Sequence, residues 1–118
     1  MITIYGLKNC DTCRKAIKWL SESGIDHEFI DIRADTPSKA DIAAWVDHVG
    51  LAAIVNKSST TWRQLDDVLK ENLSEKNAAQ LLAEHPTLIK RPVFVHKTDV
   101  VVGFKEAQKD AVSKLTQK

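Results

Sequence analysis

Two cysteines, Cys10 and Cys13, stand three residues apart in the run Asn9-Cys10-Asp11-Thr12-Cys13-Arg14. An apolar stretch, Ile2 to Tyr5, precedes the pair and an amphipathic one follows it, so the pattern places Cys10 where a strand gives way to a helix. A thiol at that junction faces the unpaired N–H groups and the positive dipole end of the helix. Both favour the thiolate, the form of cysteine that attacks disulfides and binds metals. The helix end contributes only ~0.3–1 kcal/mol at an exposed site, less than the ~1.4 kcal/mol that a tenfold change in ionisation requires. A larger effect needs a cation, and Arg14 and Arg91 are the two on offer. Cys10 is therefore the candidate nucleophile. Cys13, one helical turn further on, is placed either to close a disulfide as a resolving thiol or to pack inward as a small apolar residue.

Other chemistries lack their residues. A zinc site takes four ligands, and one CxxC with His27, His48, His85 and His96 scattered along the chain gives no second pair at metal spacing. A Cys-His hydrolase would need a histidine beside Cys10; His85, followed by Pro86, reads instead as a cap or a packing residue. Trp19, Trp45 and Trp62 read as core or half-buried residues, and no glycine-rich phosphate loop is present. No metal is expected.

Composition sets the setting for the thiols. A chain of 118 residues with 43% hydrophobic and 28% charged side chains is expected to form one domain, residues 1–118, around one core. Seventeen basic against 16 acidic side chains leave a net charge of +1, so no overall field recruits nucleic acid or a membrane surface. No apolar run approaches the roughly 20 residues that span a bilayer. The opening Met-Ile-Thr-Ile-Tyr-Gly lacks the basic and apolar regions of a signal peptide, which predicts a cytoplasmic protein. In a reducing compartment a cysteine pair serves chemistry rather than as a structural staple.

The elements that must position Cys10 follow from periodicity. Ile2 and Ile4 alternate with Thr3 in a strand that Gly6 ends. Ala16, Ile17 and Leu20 recur at helical spacing over residues 11–23, with Gly24 as the stop. Residues 25–32 return to a strand pattern, so the unit is β-α-β with parallel strands. Thr36-Pro37-Ser38 is a turn and cap before a helix over 40–49, and residues 56–61 form a polar loop. Helices are predicted over 62–69 and over 75–84, the latter capped by Ser74 and broken by His85-Pro86. Val93-Phe94-Val95 and Val100-Val101-Val102 read as a hairpin about Lys97-Thr98-Asp99, and residues 105–115 as a last helix. The fold class is α/β: a thioredoxin-like fold with a mixed sheet, ordered β-α-β, a helical insertion at about residues 38–85, then β-β-α.

Against that order the motifs become specific. Asn9-Cys10-Asp11-Thr12-Cys13-Arg14 at the first strand–helix junction, the run from His85-Pro86 through Leu88 and Ile89 to Arg91-Pro92-Val93, and Val102-Gly103-Phe104 at the last junction resemble the arsenate reductase-like ArsC/Spx family. The resemblance covers essentially the whole chain. Gly6-Leu7-Lys8-Asn9-Cys10-Asp11-Thr12 and Thr60-Thr61-Trp62-Arg63 are most similar to the YffB branch of that family. This implies a thiol-disulfide oxidoreductase with glutathione as co-substrate and an oxidised thiol as substrate. It implies a cis Pro92 opposite the nucleophile, Arg91 facing Cys10, and a substrate or glutathione site built from Lys8, Asn9, Thr12, Arg14, Arg63 and Pro92. Lys8 matches the position where glutaredoxin-like proteins place a lysine near the glycine carboxylate of glutathione. Arsenate reductases of the family surround their nucleophile with three arginines, of which only Arg91 has a match here. Asn56 follows Val55, and Phe104 follows Gly103, where further cations would be wanted. One or two cations compensate a trianionic oxyanion poorly, so arsenate reduction is the alternative rather than the leading reading. A further alternative is an Spx-like redox switch bound to RNA polymerase, but no polymerase-contact surface is identifiable in the sequence.

Overall fold

The computed structural model describes residues 1–115. Contacts divide the chain into two compact units, one of residues 1–35 with those from Arg91 onward, the other of residues 36–90.

The first unit is built on a four-stranded sheet. Strand β1 (Ile2–Gly6) buries Ile2, Ile4 and Gly6 and leaves Thr3 and Tyr5 half-buried, the alternation its sequence shows. It pairs in parallel with β2 (His27–Asp31), with Ile4 opposite Phe29 and Gly6 opposite Asp31. On its other edge it pairs antiparallel with β3 (Val93–His96), with Ile4 opposite Phe94 and Tyr5 opposite Val93. Strand β4 (Asp99–Val102) completes the order β2-β1-β3-β4 as an antiparallel hairpin with β3. The predicted turn there is tighter than expected: Asp99 already pairs with His96, and Lys97 takes the left-handed conformation, φ 56°.

Helix α1 (Asp11–Glu22) joins the two parallel strands. Its Ala16 and Leu20, with Val112 of the final helix (Glu106–Leu115), pack on Ile2, Ile4 and Phe94, so both helices lie on one sheet face. Trp19 and Phe104 close the edge of that core, their rings meeting edge-on at 5.8 Å. Gly24 ends α1 in the left-handed region, φ 69°, a conformation glycine adopts without the Cβ penalty, while Ser23 N–H donates to the Trp19 carbonyl at 2.9 Å.

The second unit is helical. Helix α2 (Lys39–Val49) begins where the Ser38 hydroxyl accepts Asp41 N–H at 3.1 Å, as expected of that cap, and packs on the later helix Ala78–Glu84 through buried residues including Ile42, Trp45, Val46 and Leu82. Three details differ from expectation. Leu51–Ile54 forms an additional short helix. The helix expected over 62–69 is two, Thr60–Gln64 capped by Ser59 and Asp67–Glu71, because Leu65 and Asp66 take extended backbone. The helix expected from 75 starts at Ala78: the Asn77 amide accepts Ser74 N–H and donates to the Asn72 carbonyl, so Asn77 rather than Ser74 organises that turn. Among the described residues, no helix is long and apolar enough to cross a membrane.

Candidate thiol active site

Register brings the site together. In the β1–β3 ladder Tyr5 opposes Val93, so the residues leaving β1 run past those entering β3, and Leu7–Cys10 meets Arg91-Pro92. The Arg91-Pro92 peptide bond is cis, as the resemblance implied, Pro92 is buried, and the Pro92 carbonyl accepts Gly103 N–H at 2.9 Å. From β1 the chain passes through a short turn closed by Cys10 N–H to the Leu7 carbonyl at 3.2 Å. Cys10 is the N-cap of α1, with extended backbone and its carbonyl accepting Arg14 N–H at 3.0 Å. The helix end therefore points at the thiol, as its position in the sequence suggested.

The two thiols are not equivalent. Cys10 is half-buried and Cys13 fully buried, and they are not joined in a disulfide. Burial works against the Cys10 thiolate. Against it stand a hydrogen bond from Cys13 N–H, another from the Cys13 thiol, and the Arg91 guanidinium, which both hydrogen-bonds and attracts the sulfur; together they bring the Cys10 pKa below the ordinary thiol value. Cys13 moves the other way. Burial, helped by the Cys10 sulfur that it donates to, pushes its pKa up to about 12, outweighing a Leu7 backbone hydrogen bond and Arg91. Its burial depends on Gly6: a Cβ at that position would stand 2.5 Å from Cys13 Sγ. Glycine is what lets the end of β1 lie on the second cysteine.

The turn is tied on both sides. Asp31 Oδ2 accepts Lys8 N–H at 3.2 Å, and its Oδ1 accepts Arg33 N–H at 2.8 Å and Ala34 N–H at 3.3 Å. The Arg33 N–H, with Lys8 and Ala34 beside it, holds this carboxyl below its usual pKa. Arg14 does not share the thiolate with Arg91. Its Nε donates to the Lys8 carbonyl at 3.1 Å and its terminal nitrogen lies 3.5 Å from Asp11. Lys8, Asn9 and Thr12 are exposed around Cys10, an open rim that a small thiol can reach. Arg63 belongs to the second unit, on the helix Thr60–Gln64, where it donates to the Ser58 carbonyl at 3.0 Å. Two contributors escaped the sequence reading. Gly6 looked only like a strand end, and Asp31 like a polar position in a strand, because the backbone N–H groups that it accepts from leave no mark in the sequence.

Comparison with known proteins agrees with this architecture. The sequence pattern of the ArsC family matches residues 5–112. An uncharacterized protein of Haemophilus influenzae is 43% identical over 111 residues, 94% of this chain and 97% of its own. The global transcriptional regulator Spx 2 of Bacillus anthracis is 26% identical over 110 residues, 92% of this chain and 83% of its own. Among solved structures, the YFFB (PA3664) protein superposes with a TM-score of 0.88 at 33% identity, covering 98% of this chain and all of that one.

Proposed function

The chain belongs to the ArsC family and has its thioredoxin-like fold, and from that premise we propose that it is a glutathione-dependent thiol-disulfide reductase with Cys10 as its single essential nucleophile. The observation that carries this reading is the opposition of the two thiols: Cys10 half-buried with its pKa lowered beside Arg91, Cys13 fully buried with its pKa raised to about 12.

In the proposed cycle the Cys10 thiolate attacks the glutathione sulfur of a substrate RS–SG. The RS–SG bond breaks, RS⁻ leaves and takes a proton from solvent, and a Cys10–glutathione disulfide remains. A second glutathione, as thiolate, attacks the bound glutathione sulfur; oxidised glutathione leaves and the electron pair returns to Cys10. The substrate is reduced to RSH, and one free glutathione is consumed, leaving as oxidised glutathione joined to the glutathione that the substrate carried. Arg91 holds negative charge on Cys10 in both its attacking and leaving roles. The cis Arg91-Pro92 segment offers its backbone beside the thiol, and Lys8, Asn9 and Thr12 form the exposed rim that would receive the tripeptide. A buried Cys13 that keeps its proton is a poor attacker of the mixed disulfide, so glutathione rather than Cys13 resolves it.

Titration of glutathione into the reduced protein, followed by NMR, tests this reading. Shifts at Lys8, Cys10 and Arg91, together with reduction of a mixed glutathione disulfide that Cys10→Ser abolishes, are the expected results. An absence of shifts at those residues, or full activity in Cys10→Ser, overturns it. The same assay with arsenate as substrate is expected to give no turnover.

A further inference from the structure

The turn between β1 and Cys10 has little packing of its own: Leu7 is buried, but Lys8 and Asn9 are exposed. Its order comes from backbone hydrogen bonds, and the ones made to side chains fall on one residue, Lys8. The Lys8 N–H is taken by Asp31, which sits opposite Gly6 at the end of β2, and the Lys8 carbonyl is taken by Arg14, one turn into α1. Each partner is itself anchored, Asp31 by the N–H groups of Arg33 and Ala34 and Arg14 by Asp11. Around this residue the chain is also held by Ile32 N–H on the Gly6 carbonyl at 2.9 Å and by Cys10 N–H on the Leu7 carbonyl.

We propose that Asp31 and Arg14 are positioning residues for the nucleophile: they clamp the Lys8 backbone between β2 and α1 and so keep the Cys10 sulfur on the Cys13 N–H and Arg91. This rests on the reading of Cys10 as nucleophile but not on glutathione. An Asp31 acting only through its charge would have the opposite sign. A carboxylate near a thiolate opposes it, so removing the charge would lower the Cys10 pKa. Removing the clamp raises it, because the sulfur leaves its donors.

The test is the pH dependence of Cys10 alkylation by iodoacetamide, read by mass spectrometry at high salt, where interactions among exposed charges are screened. In Asp31→Asn the amide keeps one acceptor oxygen where the carboxylate had two. The alkylation midpoint is expected to move up, and the rate near neutrality to fall about threefold, the effect of one modest hydrogen bond. Arg14→Gln, at an exposed residue that the core does not need, is expected to move the midpoint in the same direction. Because both variants release the backbone of the same residue, Lys8, the double variant is expected to fall short of the sum of the two. A midpoint that stays or falls in Asp31→Asn, a loss of thermal stability with no change in midpoint, or strict additivity overturns the clamp. Alkylation needs neither glutathione nor an oxidised substrate, so failure of the glutathione reading leaves this result readable.

Discussion

Cys13 decides what kind of site this is. Nothing in the spacing separates a resolving thiol from a packing residue, since both stand one helical turn from Cys10. The structure adds that its sulfur is fully buried against Gly6 and donates to Cys10, so its protonated form is what the site uses. Cys13→Ala removes the S–H donor and keeps the N–H. Glutathione-coupled turnover is then expected to fall by no more than about tenfold, the equivalent of ~1.4 kcal/mol, with the Cys10 pKa raised. A resolving role would instead make Cys13→Ala as inactive as Cys10→Ser, which steady-state assays of the two variants decide. The pairing of Cys10 with Arg91 was legible only by resemblance, because these residues lie at opposite ends of the chain and no local pattern joins them. Asp31 was illegible for another reason: its partners are backbone N–H groups, which every sequence supplies.

At the level of elements, what could be read followed how strongly each segment was patterned. β1, α1 and the β3–β4 hairpin have clear periods of 2 or 3.6 and marked ends, and they form close to where expected. The five-residue helices Thr60–Gln64 and Asp67–Glu71 are too short for periodicity to show, and helices of that length depend on caps and packing rather than propensity. The packing of β1 on α1 was also hidden, since Gly6 matters there for the side chain it lacks. Gly6→Ala places a methyl on Cys13 Sγ and is expected to destabilise by about 1–3 kcal/mol, the range for overpacking a full core. Cys13→Ala removes that sulfur, leaving a 3.2 Å approach to its Cβ. The double variant Gly6→Ala/Cys13→Ala is therefore expected to recover much of the loss in urea denaturation. If the two changes add, the close approach of β1 to Cys13 is not what glycine serves.

At the scale of the molecule, the burial of Cys13 ties a chemical group to the folding equilibrium. Its thiol is buried in the folded protein and exposed in the unfolded one, and its pKa is raised to about 12 on folding. Below an unfolded thiol pKa of ~8.5 both states hold the proton and the contribution is fully present. Above it the unfolded state loses the proton while the folded state keeps it. The unfolded chain then binds fewer protons, so stability falls as pH rises toward the folded value. Cys10, whose pKa moves the opposite way, would mask this, so the comparison belongs in a Cys10→Ser background, where burial, the largest cause of the Cys13 shift, remains. There the stability difference between Cys13 and Cys13→Ala is expected to shrink by about 2 kcal/mol between roughly pH 8 and pH 10. Titrations of lysine and tyrosine are common to both variants and cancel in the difference. Urea unfolding at several pH values reads it directly, and a difference that stays constant across that range would mean that Cys13 ionises in the folded protein as freely as in the unfolded chain.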